Sequence, residues 1–367
     1  MDISFKPPFY AKVALIFVGL FSLVFVLHVG KDIIIPVVFA TILAILLNPL
    51  VNFLIKKKVN IIIAISLAVM VTIVVAVGLF YIISSQISMF TETYPQLKLK
   101  MSAASGELVS WISRKFKIPH STINAWMLET EREAIENFAI GEKISQVGET
   151  LVVVLLLPVY LSMILFYKNL LLEFIRKLFR AEHHASVVAV LSDSKIIIQN
   201  YLVGLFLEMI IVATLNSAGL LLLGIDYAII LGITGAILNI IPYLGGIIAL
   251  ALAMSVAFVT KDSMSYPFLV IVIFMVIQFI DNHFIVPKIV ASRVKINALI
   301  SVIAVLIGNA IWGIPGMFLS IPLTAIIKVI FDHIGPLKPW GFLLGNTVPT
   351  SAKFAVFPHK KTKVISQ

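Results

Sequence analysis

The sequence predicts an all-α polytopic membrane protein with about eight transmembrane segments, two of them broken or re-entrant helical hairpins, and a small helical soluble insert. Three observations predict it. Of the 367 residues, 60% are hydrophobic and 13% charged, whereas a soluble globular chain carries about 45–50% apolar residues. Apolar runs of spanning length recur along the chain, separated by short clusters of lysine and arginine. Two further apolar runs, 226–259 and 297–330, are interrupted near their middles by proline and glycine.

A basic start with Lys6 and Lys12 leads into the first run, Val13 to Val29. No small-residue cleavage pattern closes that run, so it reads as a retained span, and Gly30-Lys31-Asp32 form a tight exit. The second span, Ile33 to Ile55, ends at Lys56-Lys57-Lys58. It holds Pro36 near its start and Asn48-Pro49 near its end, where headgroups or neighbouring helices can satisfy the freed carbonyls. The third, Ile61 to Ile83, continues outward as far as Phe90 and completes an N-terminal unit, 1–91.

Residues 92–148 change character. Glu92, Glu107, Glu129, Glu131, Glu133, Glu136 and Glu142 stand beside seven basic residues, and apolar positions recur at roughly helical intervals. This is an extracytoplasmic helical insert, either a small domain or amphipathic helices lying on the membrane. A fourth span, Leu151 to Tyr167, and an amphipathic connector with Lys168, Arg176, Lys177, Arg180 and Lys195 fill 149–200.

Segment 201–334 holds the remaining apolar runs, and a basic tail closes the chain over 335–367. The fifth span, Tyr201 to Leu223, carries Glu208 inside it, with Asn200 and Gly204 on the same helix face, and Asn216 further along. The first broken run is split at Ile241-Pro242-Tyr243-Leu244-Gly245-Gly246. Each half is about 22–24 Å long as a helix, short of the roughly 30 Å hydrocarbon core. The sixth span, Phe268 to Val286, carries Gln278, Asp281 and Asn282 at helical spacing and ends at Pro287-Lys288. The second broken run is split at Asn309-Ala310-Ile311-Trp312-Gly313-Ile314-Pro315-Gly316.

Placing both termini in the cytoplasm puts every basic cluster except Lys31, Lys261 and those of the insert on the cytoplasmic side. The two units of span plus broken run then lie with opposite orientation, the layout of secondary transporters whose site is near the midplane. An acid inside a spanning helix costs about 2.5–3.5 kcal/mol on insertion scales and needs a partner or a watery cavity. Asp281, with Gln278 and Asn282, and Glu208 are therefore the candidate coupling or substrate-binding groups. The competing reading of each is an interhelical clasp, or for Asp281 a pairing with His283 or Lys288. Asn239 and Asn309 flank the two breaks, where an amide either caps a helix or lines a pathway. Pro242, Gly245, Gly246, Pro287, Gly313, Pro315 and Gly316 are the candidate hinges.

Composition also excludes classes of function. The formal charge of +10 falls between apolar runs, where it sets topology and meets anionic lipid rather than nucleic acid. The absence of cysteine excludes disulfides, thiolate metal sites and cysteine nucleophiles. No phosphate-binding loop, zinc spacing or serine nucleophile elbow occurs, so neither an enzyme nor a cofactor is expected.

Tyr201-x-x-Gly204, the run Asn239 to Gly246, the run Asp281 to Val290, and Trp312-Gly313-Ile314-Pro315-Gly316 followed by Ile321-Pro322-Leu323 together resemble the autoinducer-2 exporter family of bacterial inner-membrane proteins. The first half is similar in layout. In place of the proline common after the last basic loop, this chain has Asn297-Ala298-Leu299. The resemblance implies a homo-oligomeric permease, with members linked to export of the furanosyl signal and others to sodium or lithium exchange for protons. The expected function is thus secondary export of a small polar solute. A cation/proton antiporter using the same acids is one alternative, and a non-transporting scaffold acting through residues 92–148 is the other.

Overall fold

The computed structural model describes residues 8–116, 147–241, 245–291 and 294–347. Among these residues helices account for nearly all of the ordered structure, and a lone antiparallel bridge joins Ile296 to Gly345. Helix α1 (Phe9–Val29) and helix α2 (Lys31–Lys56) are separated by Gly30 alone. The Gly30 N–H still donates to Val26 O (2.8 Å) and its carbonyl accepts from Ile34 (2.9 Å), so Lys31 and Asp32 are already helical. None of the α1 residues is buried.

α2 ends in a Schellman turn built on a lysine. Lys58 takes a left-handed conformation (φ 64), and its N–H and that of Val59 donate back to Ile55 and Leu54. Asn60 then caps helix α3 (Ile61–Phe116), its side-chain oxygen accepting from Ile62 N–H at 2.9 Å. α3 has 56 residues, about 84 Å at 1.5 Å per residue. It crosses the 91/92 boundary without a break, so the insert begins as a prolongation of the spanning helix. The part of the insert from 117 to 146 lies outside the described residues.

Helix α4 (Val147–Phe166) bends by 65° into α5 (Lys168–Leu178). α2, α3 and α4 close around Leu161 on Ala40, Ala44, Ala64 and Ala68, small residues that let the backbones approach where lipid supplies no hydrophobic drive.

The pillar of the bundle is α6 (His184–Leu222). Ile198, Tyr201, Gly204, Glu208, Val212, Asn216 and Gly219 recur every three or four residues and form its buried stripe. Gly204 admits a neighbouring backbone: a Cβ there would stand 2.8 Å from Ile289 O. α6 also ends in a Schellman turn. Gly224 (φ 63) donates to Leu221 and Ile225 to Leu220, with Leu220 and Ile225 both buried in one cluster. Nothing lies within 4 Å of a Cβ at Gly224, so Gly224→Ala is expected to lose only the cost of left-handed backbone, about 1–2 kcal/mol. Thermal melting of the purified variant measures it, and an unchanged midpoint would show that the turn is not retained.

Two helical hairpins hang from opposite ends of α6. The first comprises α7 (Ala228–Asn239) and α8 (Gly245–Thr260). A Cβ on Gly245 would overlap the Leu238 carbonyl, and Gly235 faces Ala249, so the arms lie side by side. Helix α9 (Ser265–Ile280) follows and runs directly into a π-helix over Asp281–Ala291. The second hairpin is α10 (Ala298–His333), interrupted at Gly313 (φ 63, ψ −141). There the chain doubles back, and Gly308 meets Gly316 backbone to backbone. Asn297 caps its start, accepting from Ile300 N–H (2.9 Å) and donating to Leu343 O and Gly345 O at the end of α11 (Lys338–Leu344). No proline could make those bonds.

Asp226 lies 3.9 Å from Lys261 at the open end of the first hairpin. His333 lies 3.6 Å from Asp193 at the open end of the second. By length and composition alone, six of the described helices, with α10 taken end to end across its Gly313 bend, are long and apolar enough to cross a membrane, seven with the bent α4–α5 pair. The α7–α8 hairpin is the eighth unit of the sequence reading, but its arms are each too short for a full crossing, so a strict count stops at seven.

Candidate functional site: two buried acids between the hairpins

Asn239 ends α7, where the backbone leaves the helix at the tip of the first hairpin. Its amide nitrogen therefore projects into the bundle interior. It donates to Asp281 Oδ2 at 3.0 Å and to Glu208 Oε1 at 3.4 Å. One amide thus joins an acid of α6 to an acid at the junction of α9 with the π-helix. Asp281 is 2% exposed and Glu208 6%. The second Asp281 oxygen, Oδ1, is buried with no hydrogen-bond partner.

The acids line a cavity of about 620 Å³ that both hairpins border. Asn239, Ile240 and Gly246 come from the first hairpin, and Ser301, Val305 and Ile321 from the second. Gln278 stands one turn before Asp281, and a Cβ on Gly246 would lie 2.8 Å from its Oε1. Behind Asn239 a void of about 10 Å³, the size of one water, extends to Asn216. Asn216 is itself buried and its amide faces Gly235.

Of the residues singled out in the sequence, Glu208, Asn239, Gln278, Asp281 and Asn282 all border this cavity, Asn282 from its exposed rim. Asn309 does not: it lies exposed on α10 before the Gly313 bend. His283 is not the partner of Asp281, since its Nδ1 meets Phe279 O at 3.0 Å and its ring stacks on Phe279. Gly245 and Gly246 open the second arm of the first hairpin, while Gly313 and Pro315 sit at the turn of the second, with Gly316 buried against Gly308. Pro287 is inside the π-helix, and Pro242 lies outside the described residues. Reasoning from residue chemistry missed Tyr201 and Ser301 as cavity-lining groups. The spacing Tyr201, Gly204, Glu208 marks the first on the α6 stripe, and nothing local marks the second.

The tip of the second hairpin is fastened to α1. Trp312 Nε1 donates to Leu27 O at 2.8 Å, and His28 Nδ1 meets Ile311 O at 3.0 Å.

Comparison with known proteins decides the kind of molecule to which this cavity belongs. The model of the AI-2E family transporters matches residues 14–335, nearly the whole chain and both of its halves. The chain belongs to the AI-2E transporter family. Among similar proteins is "Putative transport protein YueF" of Bacillus subtilis, 30% identical over 158 residues, 43% of this chain and 42% of that protein. "Putative permease PerM" of Escherichia coli is 27% identical over 139 residues, 38% of this chain and 39% of that protein. The chain thus spans less than half the length of these two relatives. "Putative transport protein YhhT" of Escherichia coli is 23% identical over 339 residues, 92% of this chain and 95% of that protein. This AI-2E family chain is a multi-pass membrane protein of a transport family.

Proposed function

We propose that this chain is a secondary permease of the bacterial inner membrane, with both termini cytoplasmic, that exports a small polar solute by alternating access. The observation that carries the proposal is the Glu208–Asn239–Asp281 linkage, buried where the two opposed hairpins border one cavity. Among the described residues neither carboxylate has a basic partner, and a buried charge without compensation is costly. The arrangement suits a cycle in which a proton or monovalent cation balances the acids while a polar solute occupies the cavity. The furanosyl autoinducer-2 signal is the first solute to test, because the family to which the chain belongs carries its name.

The test is flux in proteoliposomes loaded with a pH-sensitive dye, under sodium, lithium and proton gradients, comparing the unmodified chain with Glu208→Gln. Solute movement that falls by about tenfold in the variant is the expected result, given the energetic weight of an intramembrane acid. Cation-dependent proton movement without solute would instead establish antiport. No flux of either kind would leave the chain a scaffold.

A further inference from the structure

A second large cavity, about 780 Å³, opens between α2, the α4–α5 bend and the first turns of α6. It shares no lining residue with the cavity of the two acids. We propose that it is a binding site for an anionic phospholipid, its phosphate held by Lys168 and Lys195 and its chain seated on the apolar wall.

The net charge on the wall is positive. Glu173 is the only acid among the described residues of the lining, and both its oxygens are taken by Arg176 at 2.6 and 2.8 Å. Lys168 is held by neutral groups, donating to Asn48 Oδ1 at 2.9 Å and to Asn52 Oδ1 at 3.5 Å. An ammonium has three hydrogens, so one donor and the full charge remain for a ligand. Lys195 lines the same cavity and has no carboxylate partner among the described residues. Two uncompensated cations and Asn169 line one cavity, a donor set that suits a phosphodiester.

The rest of the wall selects a lipid over a free phosphate. Ile45, Ile164, Leu165, Val187 and Leu191 form an apolar surface that a soluble anion has no use for. The position fits as well. α5 leaves α4 at 65° and exposes Leu170, Phe174 and Leu178, one face repeating every four residues, at 61–66%. An amphipathic helix of this kind lies along the membrane surface with its apolar face in the acyl boundary. Glu173, Ile175 and Arg176 of the same helix border the cavity, which therefore opens at headgroup depth. Anionic headgroups on that side are attracted to such cations.

The experiment is native mass spectrometry of the purified full chain in detergent supplemented with phosphatidylglycerol or phosphatidylcholine at equal mole fraction. Retention of phosphatidylglycerol about fivefold above phosphatidylcholine is expected. The Lys168→Gln/Lys195→Gln variant is expected to bring the two lipids level, while Lys57→Gln, outside the cavity, leaves the preference intact. Lys168 also ties α5 to α2, so Lys195→Gln alone, which breaks no internal bond, is the second variant and should lower the preference at least about twofold. Equal retention of both lipids by the unmodified chain, or an undiminished preference in the double variant, would overturn the proposal. So would displacement of phosphatidylglycerol by equimolar glycerol phosphate, which would assign the cavity to a soluble phosphate.

Discussion

Asp281→Asn is expected to lower solute flux by at least about tenfold while leaving the protein as stable as before or more so. The substitution preserves shape, and the Asn239 amide can still donate to the remaining carbonyl oxygen, so the link across the hairpin tip survives. What disappears is the negative charge, whose presence in a spanning helix costs about 2.5–3.5 kcal/mol on insertion scales. Its removal therefore favours folding. The two properties should move in opposite directions only if the charge has work to do in the cycle, because an interhelical clasp needs the hydrogen bond and not the charge. Flux and thermal midpoint measured on the same preparation separate the readings. A raised midpoint with unchanged flux would falsify the assignment of Asp281 to transport.

The second large effect is expected at Gly316. A Cβ there would overlap the Gly308 carbonyl, and its next neighbour is the Trp312 Cβ at 2.9 Å. The obstacle is backbone against backbone, with no flexible side chain to yield, so Gly316→Ala must splay the hairpin. Overpacking of this kind costs about 1–3 kcal/mol, with the upper end expected here. Gly78→Ala is the control, since nothing lies within 4 Å of its Cβ in α3; its higher helix propensity, worth about 1 kcal/mol, should leave the midpoint unchanged or raised. Equal responses at the two positions would show that the hairpin arms are not in contact. Loss of flux in Gly316→Ala is expected to follow from the splayed hairpin, which also moves Val305 and Ile321 in the cavity wall.

Much of this fold was legible in the sequence because bilayer thickness imposes a length on apolar runs and charge separates them. Glu208 and Asp281 stood out for the same reason: an acid has no ordinary place in such a run. The sequence left open how sharply each broken run folds. Gly308 against Gly316, and Leu238 against Gly245, show that the arms of each run lie side by side, a turn common to a re-entrant hairpin and to a pair of crossings. The role of Asn239 was visible only as one of two amides beside a break. Geometry distinguishes them, because Asn239 ends a helix at the tip and reaches two acids 31 and 42 residues distant, whereas Asn309 sits a turn before its bend and faces outward. The π-helix over Asp281–Ala291 also escaped a reading based on a period of 3.6, although Pro287 within it marks a place where ordinary helical bonding fails. The continuation of α3 beyond the membrane escaped for a different reason. Composition changes at residue 92, but helical backbone hydrogen bonding is indifferent to that change.

The bonds from Trp312 and Ile311 to the end of α1 give the second hairpin an unusual datum. None of the α1 residues is buried, and beyond the short link through Gly30 to α2 its polar contacts among the described residues are those of His28 and Leu27 with the hairpin tip. A helix so lightly packed is expected to follow the bilayer thickness by tilting or shifting. A shift of α1 with bilayer thickness is then expected to be passed through these two bonds to the Gly313 bend, on the hairpin that walls the chamber holding the two acids, and solute flux compared in short- and long-chain lipids measures it.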